Sequence, residues 1–139
     1  MKELTIEAAV ENIETVTEFI TQELEGLNCP PKAETQIFVA IDELFGNIAR
    51  YAYSPKIGKA TVRVEVENDP LSVIITFIDN GVPFNPLEHD DPDIDAPADD
   101  RKIGGLGIFM VKKTMNMVEY EYSQGQNILK IKKNLSEKE

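Results

Sequence analysis

The sequence contains no tryptophan, one cysteine (Cys29) and one histidine (His89). A single thiol excludes an internal disulfide and fits a reducing cytoplasm. Its plainest role is that of a small buried or loop residue. The lone histidine sits among acids, which leaves no Ser/His/Asp or Cys/His arrangement for nucleophilic catalysis. No apolar run approaches the roughly 20 residues needed to cross a bilayer. Met1-Lys2-Glu3-Leu4 leads straight into patterned sequence without a signal-peptide core, so no membrane association is expected. Basic residues are also scarce. The 14 Lys and Arg against 25 Asp and Glu give a net charge of −11, which argues against a nucleic-acid backbone as partner.

What is present is one domain's worth of patterned chain. The 139 residues are expected to form a single domain over 1–139 with a modest core. Lys2–Ala8 alternates as a short strand. Glu11–Leu27 has helical spacing through Ile13, Val16, Phe19, Ile20 and Leu24, and Gly26, Asn28 and Pro30-Pro31 stop it. A second helix runs from about Pro31 to about Tyr53, with Ile37, Ile41, Leu44 and Ile48 as one apolar stripe widened by Phe38 and Phe45. Lys59–Asn68 alternates as a strand with one wet face. Leu71–Asp79 is almost wholly apolar, as a central strand covered on both sides would be, and the short link between them predicts an antiparallel hairpin.

Residues from about 80 to 103 read as a long lid loop. It holds Pro83, Pro86, Pro92 and Pro97, and the seven acids between Glu88 and Asp100 come without a single Lys or Arg. A metal trap with His89 fits this segment poorly, because the spacing is irregular and the prolines prevent a compact ligand set; a solvated, self-repelling lid fits better. A third helix starts at the glycines near 104 and runs to about Asn116. Met117–Ser123 and Asn127–Lys133 are strands joined by a turn at Gln124-Gly125, and the charged tail from Ser136 is expected to fray. The order β-α-α-β-β-lid-α-β-β predicts an α+β fold: a two-layer α/β sandwich with a mixed, mostly antiparallel sheet and three helices on one face.

Three ordered stretches carry candidate chemistry. Glu43 and Asn47, at i and i+4, share one side of the second helix. An Asn carbonyl oxygen is a hard ligand for Mg²⁺, and a carboxylate one turn away can deprotonate a hydroxyl or water. Alternatively, both are solvated surface residues. Asp79 ends an apolar strand, where an acid is unexpected. It can accept a hydrogen bond from the exocyclic amine of adenine, with Gly81 letting the base approach; Asp79-Asn80-Gly81 also reads as a simple tight turn. Gly104-Gly105-Leu106-Gly107 opens a helix, and free N–H groups there favour an anion such as a phosphate. No Gly-Lys-Ser/Thr follows, so it is not a P-loop, and a flexible hinge is the competing account. Arg101 could meet a terminal phosphate or pair with Asp99 or Asp100.

As an ordered set these motifs resemble the Bergerat-fold ATP-binding proteins, the GHKL superfamily of gyrase-type ATPases, histidine-kinase catalytic domains and anti-sigma-factor kinases. The chain looks most like the small stand-alone anti-sigma-factor serine/threonine kinases. The likeness runs through Ile41-Asp42-Glu43-Leu44-Phe45-Gly46-Asn47-Ile48-Ala49-Arg50-Tyr51-Ala52-Tyr53, Asp79-Asn80-Gly81-Val82-Pro83-Phe84-Asn85-Pro86 and Gly104-Gly105-Leu106-Gly107-Ile108. It departs where Tyr51 replaces the His of many relatives and in the acidic, proline-rich lid. The resemblance implies Glu43 as general base, Asn47 as Mg²⁺ ligand, Asp79 with Gly81 as the adenine reader, and Gly105 and Gly107 as phosphate-binding glycines. It implies Arg101 as a phosphate contact, and ATP with Mg²⁺ as the ligands. It further implies a cytoplasmic homodimer that holds a sigma factor and phosphorylates a serine on a small antagonist protein. A nucleotide-gated protein-binding module without kinase activity is the alternative. A detached histidine-kinase catalytic domain fits less well, since no histidine-bearing dimerisation helix precedes the domain.

Overall fold

The computed structural model describes residues 1–88 and 105–135. Most of the expected lid, including Arg101 and Gly104, and the tail from Ser136 lie outside the described residues. Five strands, β1 (Lys2–Glu7), β2 (Lys59–Glu67), β3 (Ser72–Asp79), β4 (Met117–Ser123) and β5 (Gln126–Asn134), form one sheet in the order β1-β2-β3-β5-β4. Among the described residues, three α-helices, α1 (Ile13–Leu24), α2 (Pro31–Asn47) and α3 (Gly105–Thr114), give the α+β architecture. The expected sheet was mixed and mostly antiparallel; in the structure every pairing is antiparallel.

Side-chain parity explains the layering. Val62 and Val64 of β2, Val73, Ile75 and Phe77 of β3, and Leu129 and Ile131 of β5 point to one face. They share a core with Val16 and Ile20 of α1, Ile37, Ile41, Leu44 and Phe45 of α2, and Ile108, Val111 and Met115 of α3. The helices therefore cover this face, and the apolar stripe read along α2 is the seam.

The central strand β3 is buried at every position. Its second face is covered without a helix. There Thr76 stands between Arg63 and Lys130, and Ile74 between Glu65 and Lys132, in the register of the sheet. Long charged side chains beside an apolar row lay their aliphatic stems over it and keep their heads in water. The two edge strands, β1 and β4, carry Lys2, Glu3, Glu7, Glu119 and Glu121, which discourages pairing with a further strand.

Several element ends differ from expectation for local reasons. The first helix begins with a 3-10 turn at Val10–Asn12 and stops at Leu24, because Gly26 (φ +84°) and Asn28 (φ +55°) turn the chain left-handed before Pro30. The second helix keeps its α pitch only to Asn47, and Ile48–Ala52 winds as a π turn. Gln124 (φ +53°) and Gly125 (φ +79°) make the two-residue hairpin between β4 and β5 that the turn signal predicted.

Phe45 is fully buried between α2 and the sheet, whereas Val39 on the same helix is 41% exposed. Phe45→Ala is expected to lower the unfolding free energy by about 3–5 kcal/mol. Val39→Ala should change it by no more than about 0.5 kcal/mol. Urea denaturation of the two variants checks the packing, and equal midpoints would contradict it.

Candidate functional site

A groove of about 430 Å³, partly open to solvent, lies where the C-terminal part of α2 and the π turn meet the ends of β3 and β5. Leu44, Asn47, Ile48, Tyr51 and Ala52 line one side, at helical spacing. Phe77, Leu129 and Tyr120 form the sheet side, and Val82, Phe84 and Pro86 close it from the loop after β3. The Tyr51 and Phe84 rings approach across the mouth, with centroids 6.3 Å apart and tilted by 41°. The lining is largely apolar, with Asp79, Asn47 and Asn127 as its convergent polar side chains. That composition suits a flat, partly polar organic ligand.

Asp79 occupies the last position of β3, on the inward face, and is only 4% exposed. A buried carboxylate has to be hydrogen-bonded. Its Oδ1 accepts the Gly81 N–H at 2.8 Å and the Asn127 Nδ2–H at 2.9 Å. No bond to Oδ2 occurs among the described residues, and no buried side-chain N or O among them lacks a partner, so Oδ2 lies at the groove surface. It is free to accept a hydrogen bond from a ligand.

The loop after β3 is fastened residue by residue. The Asn80 N–H donates to the Tyr53 hydroxyl at 2.7 Å, and that hydroxyl donates to the Lys59 carbonyl at 2.6 Å. The Val82 N–H donates to the Ala52 carbonyl at 3.0 Å. Asn127 holds the Val82 carbonyl and the Phe84 N–H. Gly81 is required here because a Cβ would collide with the Ala52 carbonyl. Close approach is thus between loop and π turn, in addition to any approach by a ligand. The tight-turn account of Asp79-Asn80-Gly81 is met by the Gly81 N–H bond to Asp79 Oδ1.

Asn47 lines the groove, and its side-chain amide makes no hydrogen bond to a described residue. Its oxygen is available to a hard cation or a polar ligand. Glu43, one turn earlier, does not line the groove. It packs against the first turn of α3 so closely that a Cβ on Gly107 would overlap its carboxyl group. Burial raises its pKa, the neighbouring Asp42 charge raises it further, and Arg50 offsets part of this. The ten-residue helix α3 begins at Gly105. Its first turn supplies N–H groups that have no partner within the helix, and the positive end of the helix dipole.

The fold therefore puts Asn47 and Asp79 on the groove, Gly81 in the loop against Ala52, and Glu43 against Gly107 in the first turn of α3, which Gly105 opens. Arg101 lies outside the described residues. Reading the sequence missed Asn127, Tyr120 and Tyr53. One signal was present: Asn127 shares the inward parity of Leu129 and Ile131, a polar residue on an apolar row. Gly81→Ala is expected to destabilise the protein by about 1–3 kcal/mol, since backbone must move to admit the methyl group. A thermal melt matching the parent would show that the loop is not tied to Ala52.

A family model described as the histidine kinase-like ATPase domain matches residues 6–133. Serine-protein kinase RsbW of Bacillus mycoides (strain KBAB4) is 28% identical over 98 residues, 68% of this chain and 60% of that protein. The RsbW of Bacillus cereus (strain ATCC 10987 / NRS 248) is 29% identical over the same shares. The chain thus aligns with about 60% of the length of these curated relatives. The crystal structure of the RsbU and RsbW domains of Rv1364c from Mycobacterium tuberculosis matches 99% of this chain and 34% of that one, with a TM-score of 0.66 at 15% identity, which shows the shared fold. With the family match spanning almost the entire sheet and all three helices, the chain belongs to the histidine kinase-like ATPase domain family.

Proposed function

We propose that this protein is an ATP-dependent serine/threonine kinase of the anti-sigma-factor type, which phosphorylates a small antagonist protein and regulates a sigma factor by partner switching in the cytoplasm. The observation that carries the reading is the placement of the Glu43 carboxyl against Gly107 at the start of α3, one turn from Asn47, which lines the Asp79 groove. The names of the RsbW relatives support the same class of activity. Among the described residues no helix is long and apolar enough to cross a membrane.

Each residue has a role set by its surroundings. Asp79 Oδ2 accepts the exocyclic amine of adenine, and the apolar groove takes the faces of the base. Gly105 and Gly107 let phosphate oxygens reach the N–H groups of the first turn of α3. Arg101 is assigned to a terminal phosphate. The Asn47 oxygen suits Mg²⁺, which prefers one or two protein oxygens together with phosphates and water; bound there, the ion would neutralise charge on the phosphates. Glu43 takes the proton of the substrate serine hydroxyl as its oxygen bonds to the γ-phosphorus. The bond from that phosphorus to the β,γ-bridging oxygen breaks, and ADP leaves with the electron pair. A base with a raised pKa is better matched to this task near neutral pH than an ordinary glutamate. The active assembly is assigned as a homodimer.

Glu43→Gln is expected to keep nucleotide affinity while phosphotransfer falls at least about 100-fold, the scale of general-base catalysis. The acid limb of the parent's kcat profile should lie above the ordinary glutamate value of about 4.3, because a raised pKa keeps the base protonated to higher pH. Transfer of labelled phosphate to candidate antagonist proteins measures both, and an unchanged rate in the variant would remove the base assignment. Binding without any labelled product would instead favour a nucleotide-gated binding module. Asp79→Asn should weaken ATP binding at least about 10-fold, or about 1.4 kcal/mol. Calorimetry returning the parent affinity would remove the adenine-reading role.

A further inference from the structure

Asn127 is 6% exposed, and its amide is fully committed. Nδ2 donates to Asp79 Oδ1 at 2.9 Å and to the Val82 carbonyl at 2.9 Å. Oδ1 accepts the Phe84 N–H at 3.1 Å and the Tyr120 hydroxyl. A primary amide has two N–H donors and two acceptor lone pairs, so all of its positions are used. Asn127 lines the groove, yet its amide has nothing left to offer a ligand. Its influence must pass through the groups it holds.

The chief of these is Asp79. With Asn127 Nδ2 and the Gly81 N–H both donating to Oδ1, the rotation of the carboxyl group is arrested. Oδ2 is then an acceptor with a fixed direction at the groove surface. Asn127 faces Asp79 directly in the β3–β5 register, so the sheet itself sets the spacing of the pair. The same amide ties residues 82 and 84 to β5, and both line the groove.

Resting on the ATP reading above, we infer that Asn127 is a positioning residue for base selectivity: it fixes the Asp79 carboxylate with Oδ2 aimed at a 6-amino purine, and it builds the loop wall of the groove before nucleotide arrives. A 6-oxo purine would present a carbonyl to that carboxylate, acceptor against acceptor, and is rejected while Asp79 keeps this orientation.

The test titrates the full chain and its Asn127→Asp and Asn127→Ser variants with ATP and with inosine triphosphate, its 6-oxo counterpart, by calorimetry. The parent is expected to prefer ATP by at least about 10-fold, in line with the rejection of a ligand that leaves a buried polar group unpaired. In Asn127→Asp, a carboxylate oxygen replaces the Nδ2 donor opposite Asp79, so Asp79 loses the bond that orients it, and the preference should fall at least about 5-fold. Asn127→Ser is too short to reach all four partners and should loosen Asp79 in the same direction; it carries the test where the Asp variant does not fold, as judged by urea denaturation. An unchanged preference overturns the inference. So does an equal loss of affinity for both nucleotides, which is what a purely structural role would produce. A parent that binds ATP while the variants keep its selectivity refutes this role alone; a parent that binds no ATP refutes the nucleotide reading itself.

Discussion

The architecture of the site follows from one buried carboxylate. Asp79 closes a strand that is buried along its whole length, and a charge in that position has to find hydrogen-bond donors. It finds them in two places: the backbone two residues on, and an amide directly across the sheet. Both bonds go to the same oxygen. Satisfying the charge this way shapes the loop after β3, and it leaves the second oxygen at the surface of an apolar groove. The same pair of bonds thus satisfies the charge and sets the direction of the second oxygen.

The second constraint is steric. Glu43 and Gly107 belong to different helices, and the Glu43 side chain occupies the space a Cβ at position 107 would take. Any larger residue would push the carboxyl away or hold the first turn of α3 off α2. The contact costs Glu43 part of its solvation, which is the main cause of its raised pKa. The glycine that suits an anion at a helix start therefore also tunes the acid beside it. The same logic recurs after the π turn, where Gly81 and Gly58 admit the Ala52 carbonyl and the Tyr53 ring. Tyr53 then links the loop after β3 to the start of β2 through its hydroxyl.

Much of this was readable residue by residue. The alternation of β2, the continuous apolar run of β3 and the stripe of α2 each state a local period, and each element formed near its expected place. Asp79 stood out because an acid broke an apolar run. Asn127 did not, because a polar residue at the first position of the expected strand, just after a turn, is unremarkable. Its importance comes from the residue opposite, and register is not written in either strand alone. The change of pitch at Ile48 was equally hidden, because an apolar stripe at helical spacing continues through it.

The sequence by itself determined the elements, the layer each one faces and the identity of the acids and glycines available for chemistry, because hydrophobic period and turn chemistry act over a few neighbouring residues. Only the tertiary structure decided that Asn127 would face Asp79, that Glu43 would rest on Gly107, and that the loop after β3 would be bonded to the end of α2. Those contacts join residues distant along the chain, and they are set by strand register and helix packing, which depend on the whole core at once.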